Sequence, residues 1–180
     1  MKISTTILFF SAVMLLASCS QKENPDPINY TGPVREGENV TMLYAEKDML
    51  KMKLIGKRVL EFENGDREFP EGLFIEFYNE QGKLTSTLTA NHAYFFKHEY
   101  QWRGRGHVEV KNLETFEQLN TEELYWKPDT KRIFTDKFVT IKTATDVIYG
   151  TDLDAAQDMS QYTLRNTKGS FEASEENEDQ

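Results

Sequence analysis

Cysteine is almost absent from this chain, since Cys19 is the only one among its 180 residues. A single thiol excludes an intrachain disulfide, and it argues against a zinc site built from cysteine and histidine. The three histidines, His92, His98 and His107, have no recognised ligand spacing and are interpreted as surface side chains. The composition therefore predicts no metal site and no cofactor.

Basic residues are fewer than acidic ones. The chain has 21 lysines and arginines and 30 aspartates and glutamates, which gives a formal net charge of −9. Nucleic-acid phosphates select an excess of Lys and Arg, so the chain is not expected to bind nucleic acid. The same deficit argues against broad electrostatic adhesion to anionic lipid.

The N-terminus has the pattern of an export signal. A short basic start precedes an apolar run over residues 7–17, which suits a signal peptide and is short for a membrane span. The run ends in "LASC" at residues 16–19, which resembles the lipobox of bacterial lipoproteins. That resemblance implies cleavage after residue 18 and acyl chains on Cys19. The alternative is an ordinary signal peptide with an incidental cysteine.

Composition divides the chain into four segments. Residues 1–18 are the predicted signal peptide, and residues 19–40, with three of the five prolines, are the lipidated N-terminus and a flexible tether. Residues 41–170 are the predicted folded domain. Residues 171–180 carry five acidic residues and no basic one, which predicts a disordered acidic tail.

Within the predicted domain, apolar and polar residues alternate with a period of two, which is typical of strands with one buried face. Turn signals separate these runs at residues 64–66, 80–82, 103–106 and 127–129. The segment "MLYAEKDMLKMKL" at residues 42–54 also suits a helix, but its Met52/Leu54 alternation favours strand. The pattern predicts an all-β fold.

A similar segment recurs along the chain. Ala93 and Leu124 lie 31 positions apart, as do Val108 and Val139, and Leu153 follows Leu124 by 29. Repeats of this length usually stack into one continuous core, because each unit leaves an apolar face that the next one covers. Here the units are β-hairpins, so the sequence predicts stacked antiparallel hairpins with two open ends.

Four segments together resemble the LptC family, which is the membrane-anchored periplasmic component of the lipopolysaccharide export machine. They are "FIEFYNEQGKLTSTLTANHAYFF", "WRGRGHVEVKN", "LNTEELYWKPDTKRIFTDKFVTIK" and "VIYGTDLDAAQDMSQYTLRNTKGSF", and they cover residues 70–171 approximately. The same repeat occurs in the bridge protein LptA. The resemblance implies a twisted antiparallel β-jellyroll of stacked hairpins with an open apolar groove, and no catalysis.

The resemblance also implies partners. The domain would accept lipopolysaccharide from an LptB/LptF/LptG-type ABC transporter at its N-terminal edge and pass it to an LptA-like bridge protein at its C-terminal edge. The residues of the last candidate strand that would form this partner edge are Tyr162, Thr163, Leu164 and Arg165. Best-known members use a transmembrane helix as anchor, whereas this chain has the lipobox. Attachment to the inner membrane, facing the periplasm, is the favoured interpretation, with the outer membrane as the alternative.

The in-facing residues of the predicted strands are the candidate lining of a lipopolysaccharide groove, or else a closed core. They are Ile75, Phe77, Leu84, Leu88, Val108, Val110, Leu124, Trp126, Val139 and Ile141. Two other functions compete. Acidic residues in turns could hydrolyse glycosides, but no nucleophile or metal motif accompanies them, so an enzyme is not predicted. The remaining alternative is an LptA-like or related lipoprotein that acts as a scaffold in the cell envelope without transferring lipid.

Overall fold

A computed structural model describes residues 30–170 of the chain. The architecture below is that of the unit that begins at Gly32, as far as residue 170. The predicted signal peptide, Cys19, most of the predicted tether and the acidic tail lie outside the described residues.

Twelve antiparallel strands form one continuous sheet over residues 30–170, which confirms the all-β, jellyroll-like fold. They are β1 (Arg35–Glu46), β2 (Met49–Glu61), β3 (Arg67–Phe69), β4 (Leu73–Tyr78), β5 (Leu84–Ala90), β6 (His92–Phe96), β7 (Gln101–Asn112), β8 (Gln118–Lys127), β9 (Arg132–Thr135), β10 (Val139–Lys142), β11 (Val147–Ala156) and β12 (Tyr162–Ser170). In that part of the chain, the structure has no helix able to cross a membrane.

The long strands each belong to two layers. One half of β7 pairs with β5 and the other half with β6, and β8 pairs in the same way with β10 and β9. Strand β2 likewise pairs with β4 and β3, and β11 with β10 and β9. The sheet is therefore folded over into a β4–β5–β10 layer and a β3–β6–β9 layer, with the apolar core between them.

The fold line between the layers is called the bend side here. On β7 it lies at Gly106 and His107, with φ of 72° and 49°, where the pairing with β8 shifts register. A bulge of this kind bends a strand sharply, and glycine adopts the required backbone without strain. The turn predicted at residues 103–106 is therefore wrong, because the chain bends there inside β7 and does not reverse.

The opposite side, where hairpin turns of both layers end, is called the turn side. The predicted turns at residues 64–66, 80–82 and 127–129 lie there between consecutive strands, except that Lys127 is still the last residue of β8. A further turn, at Lys47 and Asp48, has φ of 50° and 62° and joins β1 to β2 without any glycine. The segment at residues 42–54 is thus β-structure, as predicted, but a hairpin and not a single strand.

The first strand begins before the predicted domain. Residues 35–40, assigned by composition to the tether, pair with β2, and Arg58 Nε donates to Glu36 Oε1 at 2.6 Å. This stretch is polar and lacks an apolar alternation, so its strand depends on β2 alongside it and not on its own sequence.

Candidate functional site

The predicted groove residues lie in the interior between the two layers. Nine of the ten are at most 6% exposed: Ile75, Phe77, Leu88, Val108, Val110, Leu124, Trp126, Val139 and Ile141. Leu84 is the exception, since it is only half-buried at the start of β5, where the pairing with Tyr78 is irregular. The faces assigned from the alternation therefore agree with the structure.

This interior is closed. Its cavity has a volume of about 10 Å³ and is lined by Leu73, Ile75, Trp102, Val108, Leu124 and Trp126, among others. A space of that size holds about one water molecule. The sequence predicts an open apolar groove, and in this structure the same side chains fill it, because side chains of the two layers such as Phe77 and Trp126 are in direct contact.

Aromatic rings close the interior on the turn side. The ring of Phe77, from the β4–β5–β10 layer, meets that of Trp126, from the other layer, edge to face with centroids 5.1 Å apart. Trp126 stacks on Trp102 at 6.1 Å, and Phe95 and Phe69 pack on Trp102 at 4.9 and 5.6 Å. Ring pairs of this geometry stabilise a core beyond the area that they bury.

Three of these aromatic residues, Phe69, Phe95 and Trp102, were missed by sequence reasoning. The repeat contains the signal for two of them, because Phe95 precedes Trp126, and Trp102 precedes Ile133, by the same 31 positions as the aligned pairs. Phe69 lies in a strand of three residues, which is too short to show an alternation.

The turn between β11 and β12, residues 157–161, covers the interior on the turn side. Met159 of this turn is 1% exposed, and the Asn112 side chain donates from Nδ2 to the Asp158 carbonyl at 2.6 Å. The indole Nε1 of Trp126 donates to Gln157 Oε1 at 3.0 Å. Met159 lies in a turn and follows no alternation. Asn112 continues the in-facing alternation of Val108 and Val110, but its contact with Asp158 exists only in the folded chain.

The predicted partner edge, residues 162–165, lies in β12. This strand pairs with β11 along one edge and, among residues 30–170, has no strand on the other. Thr163 and Arg165 are exposed, whereas Tyr162 and Leu164 are half-buried against the core. Burial raises the pKa of the Tyr162 phenol, with a further contribution from nearby acidic residues.

Among the acidic residues considered as catalytic groups, Asp136, Asp152 and Asp154 line one open surface pocket, whereas Glu122, Glu123 and Asp146 lie elsewhere. Arg132 pairs with Asp154 on the β9–β11 ladder, and Lys137 Nζ lies 3.1 Å from Asp136. Over residues 30–170, no group of three His, Cys, Asp or Glu side chains is placed to hold a metal ion. Asp136 and Asp154 therefore form ordinary surface ion pairs.

Comparison with known proteins gives one family. The family model described as "Lipopolysaccharide-assembly, LptC-related" matches residues 5–172, which include every strand of the sheet. No match was found among curated proteins.

Proposed function

The chain belongs to the LptC-related family of lipopolysaccharide-assembly proteins, and we propose that, within lipopolysaccharide transport, it accepts lipopolysaccharide from the inner-membrane ABC transporter and passes it to a periplasmic bridge protein. The acyl chains would lie between the two layers, against the interior side chains named above.

The observation that carries this proposal is the apolar interior shared by consecutive strands. It is lined in turn by β4, β5, β7, β8 and β10, so it runs along the stack from one unit to the next. Each methylene group moved from water into such a lining contributes roughly 0.8 kcal/mol. Transfer along it therefore needs no chemistry and exchanges one apolar surface for another.

Room for acyl chains would come from separation of the layers on the turn side. The long strands are continuous across the bend side, so this side acts as the hinge. The turn side is held by side-chain packing and by a few hydrogen bonds, of which Asn112 to Asp158 is one. Packing of this kind re-forms around a bound chain, whereas a broken strand ladder would leave buried backbone groups unpaired.

The two ends of the sheet suit its two proposed partners. Strand β12 would add to an LptA-like bridge protein, and β1, which pairs with β2 alone among the described residues, would meet the LptB/LptF/LptG-type transporter. Strand addition takes affinity from backbone hydrogen bonds and specificity from alternate side chains. With lipidated Cys19 as the anchor, the domain would face the periplasm from the inner membrane.

The test is photo-crosslinking in cells that express the full chain. A photo-reactive residue at Leu88, Val110, Trp126 or Ile141 should crosslink to lipopolysaccharide, because these positions face the interior. The controls are Thr87 and Glu109, which alternate with Leu88 and Val110 and point the other way. Crosslinks from the control positions alone would overturn the proposal.

A scaffold that transfers no lipid is the second candidate. It is favoured by the closed interior, whose cavity of about 10 Å³ has no room for an acyl chain without rearrangement. The same experiment separates the two functions, since a scaffold gives no crosslink to lipopolysaccharide from any interior position while its partners still co-purify.

A further inference from the structure

We propose that the β11–β12 turn is a displaceable lid of the interior, with Met159 as its plug and Asn112 as its latch. This inference rests on the proposed function, because the plug would occupy the space that an acyl chain takes when lipopolysaccharide is bound.

Met159 has the position and chemistry of a plug. It lies in a turn, where side chains are usually exposed, yet it is 1% exposed and packs in the core. Its backbone has φ of 62°, a left-handed conformation that is uncommon for a residue with a side chain. Its unbranched thioether side chain is flexible and similar in width to a hydrocarbon chain. An acyl chain could therefore replace it with little net change in buried apolar surface.

Asn112 has the contacts of a latch. Its Oδ1 accepts the backbone N–H groups of Glu114 and Thr115, at 2.7 and 2.9 Å, and so shapes its own turn. Its Nδ2 donates to Asp158, which lies 46 residues away in the lid. One side chain thus joins the end of β7, which pairs with β5, to the lid of the opposite layer. Since it is 6% exposed, water competes poorly for this bond.

A buried hydroxyl beside the latch favours opening. Ser86 pairs with Asn112 in the β5–β7 register and is 0% exposed, and its Oγ has no hydrogen-bond partner. An unpaired buried hydroxyl is unfavourable in the closed state, and lid displacement would expose it to water or to a polar group of the ligand. The unpaired Ser86 hydroxyl therefore raises the free energy of the closed state, and opening of the lid removes this unfavourable contribution.

The test separates the two functions of the Asn112 side chain. Asn112→Asp keeps an acceptor oxygen for Glu114 and Thr115 but removes the donor to Asp158. The matched control is Asn79→Asp, which makes the same change in the β4–β5 turn, where Asn79 Oδ1 accepts the N–H groups of Gln81 and Lys83. Each substitution is made in the full chain with a photo-reactive residue at Leu88, and crosslinking to lipopolysaccharide is measured in cells.

Asn112→Asp should raise the crosslink yield about fivefold, because loss of one hydrogen bond shifts the equilibrium between closed and open lid by about that factor. Asn79→Asp should leave the yield unchanged. If Asn112→Asp fails to accumulate, Met159→Ala serves instead and should also raise the yield, because it shortens the plug.

Two results would overturn the lid. If wild type crosslinks and neither Asn112→Asp nor Met159→Ala changes the yield, the lid is wrong and the proposed function stands. If no variant crosslinks from Leu88 or from any other interior position, the proposed function fails and the lid fails with it.

Discussion

At the scale of single residues, the bend side depends on positions where a side chain has no room. Gly150, on β11, is the clearest case, since a Cβ built there would lie 2.0 Å from Leu164 Cδ2 and 2.8 Å from the Arg165 carbonyl oxygen. The close approach lets Leu164 of β12 cover the end of the core. The backbone of Gly150 is ordinary, so space and not conformation requires the glycine.

Gly150→Ala should therefore lower the free energy of unfolding by about 2–3 kcal/mol, as overpacking of a core does. Chemical denaturation of the full chain measures it. The control is Gly82→Ala, where no atom lies within 4 Å but φ is 74°, so only the backbone cost of about 1 kcal/mol applies. A loss for Gly150→Ala no larger than that for Gly82→Ala would contradict overpacking against Leu164 and the Arg165 carbonyl.

At the scale of strands, the period of two and the 31-residue offset were enough to assign interior faces. Ala93, Leu124 and Leu153, aligned as equivalent, are all at most 2% exposed. Alternation alone decides which way a strand residue points, and a stacked repeat copies that direction from unit to unit. This is why Val108 and Val139 were assigned correctly without any knowledge of the topology.

The turn side and the bends could not be predicted in the same way. The contact between Asn112 and Asp158 joins residues 46 apart, and no local pattern predicts such a contact. Residues 103–106 have the glycine-rich composition of a turn. Here β7 pairs with β6 on one edge and with β8 on the other, so the strand continues and only a bulge forms. Opening of the two layers around a ligand likewise depends on packing between distant residues, so local sequence patterns do not predict it.

Strand β12 has two separable tasks, which a proline can distinguish. Deleting β12 would also remove Tyr162 and Leu164 from the core, so truncation confounds docking with folding. Thr163→Pro changes an exposed position and leaves the Tyr162 and Leu164 side chains in place. Thr163 lies opposite Asp154 in the β11–β12 pairing, so the proline removes one donor of that ladder and distorts the edge that a further strand would meet. It should abolish capture of an LptA-like bridge protein in co-purification, with the sheet still folded by circular dichroism.

The control for Thr163→Pro is Thr41→Pro, on β1 at the opposite end of the sheet. It should leave bridge-protein capture intact and weaken co-purification with the transporter. Wild-type capture of the bridge protein by Thr163→Pro would remove β12 from the docking model.

At the scale of the whole molecule, the acidic chain needs an anchor that does not depend on charge. With a formal net charge of −9, its electrostatic interaction with an anionic membrane surface is unfavourable. The proposed function nevertheless places it close to the membrane. Acyl chains on Cys19 would meet that need, because a lipidated protein with two or more chains is held durably by burial of methylene groups.

Cys19→Ala should therefore release the protein from membranes and block cleavage after residue 18, while wild type incorporates labelled palmitate. Since the strands begin at Arg35, the variant should keep the β-sheet spectrum, so loss of membrane binding would not reflect unfolding. Ser20→Ala, next to the cysteine but outside "LASC", is the control and should be cleaved, labelled and membrane-bound as wild type. A wild-type protein that takes up no palmitate and fractionates as soluble would refute lipidation.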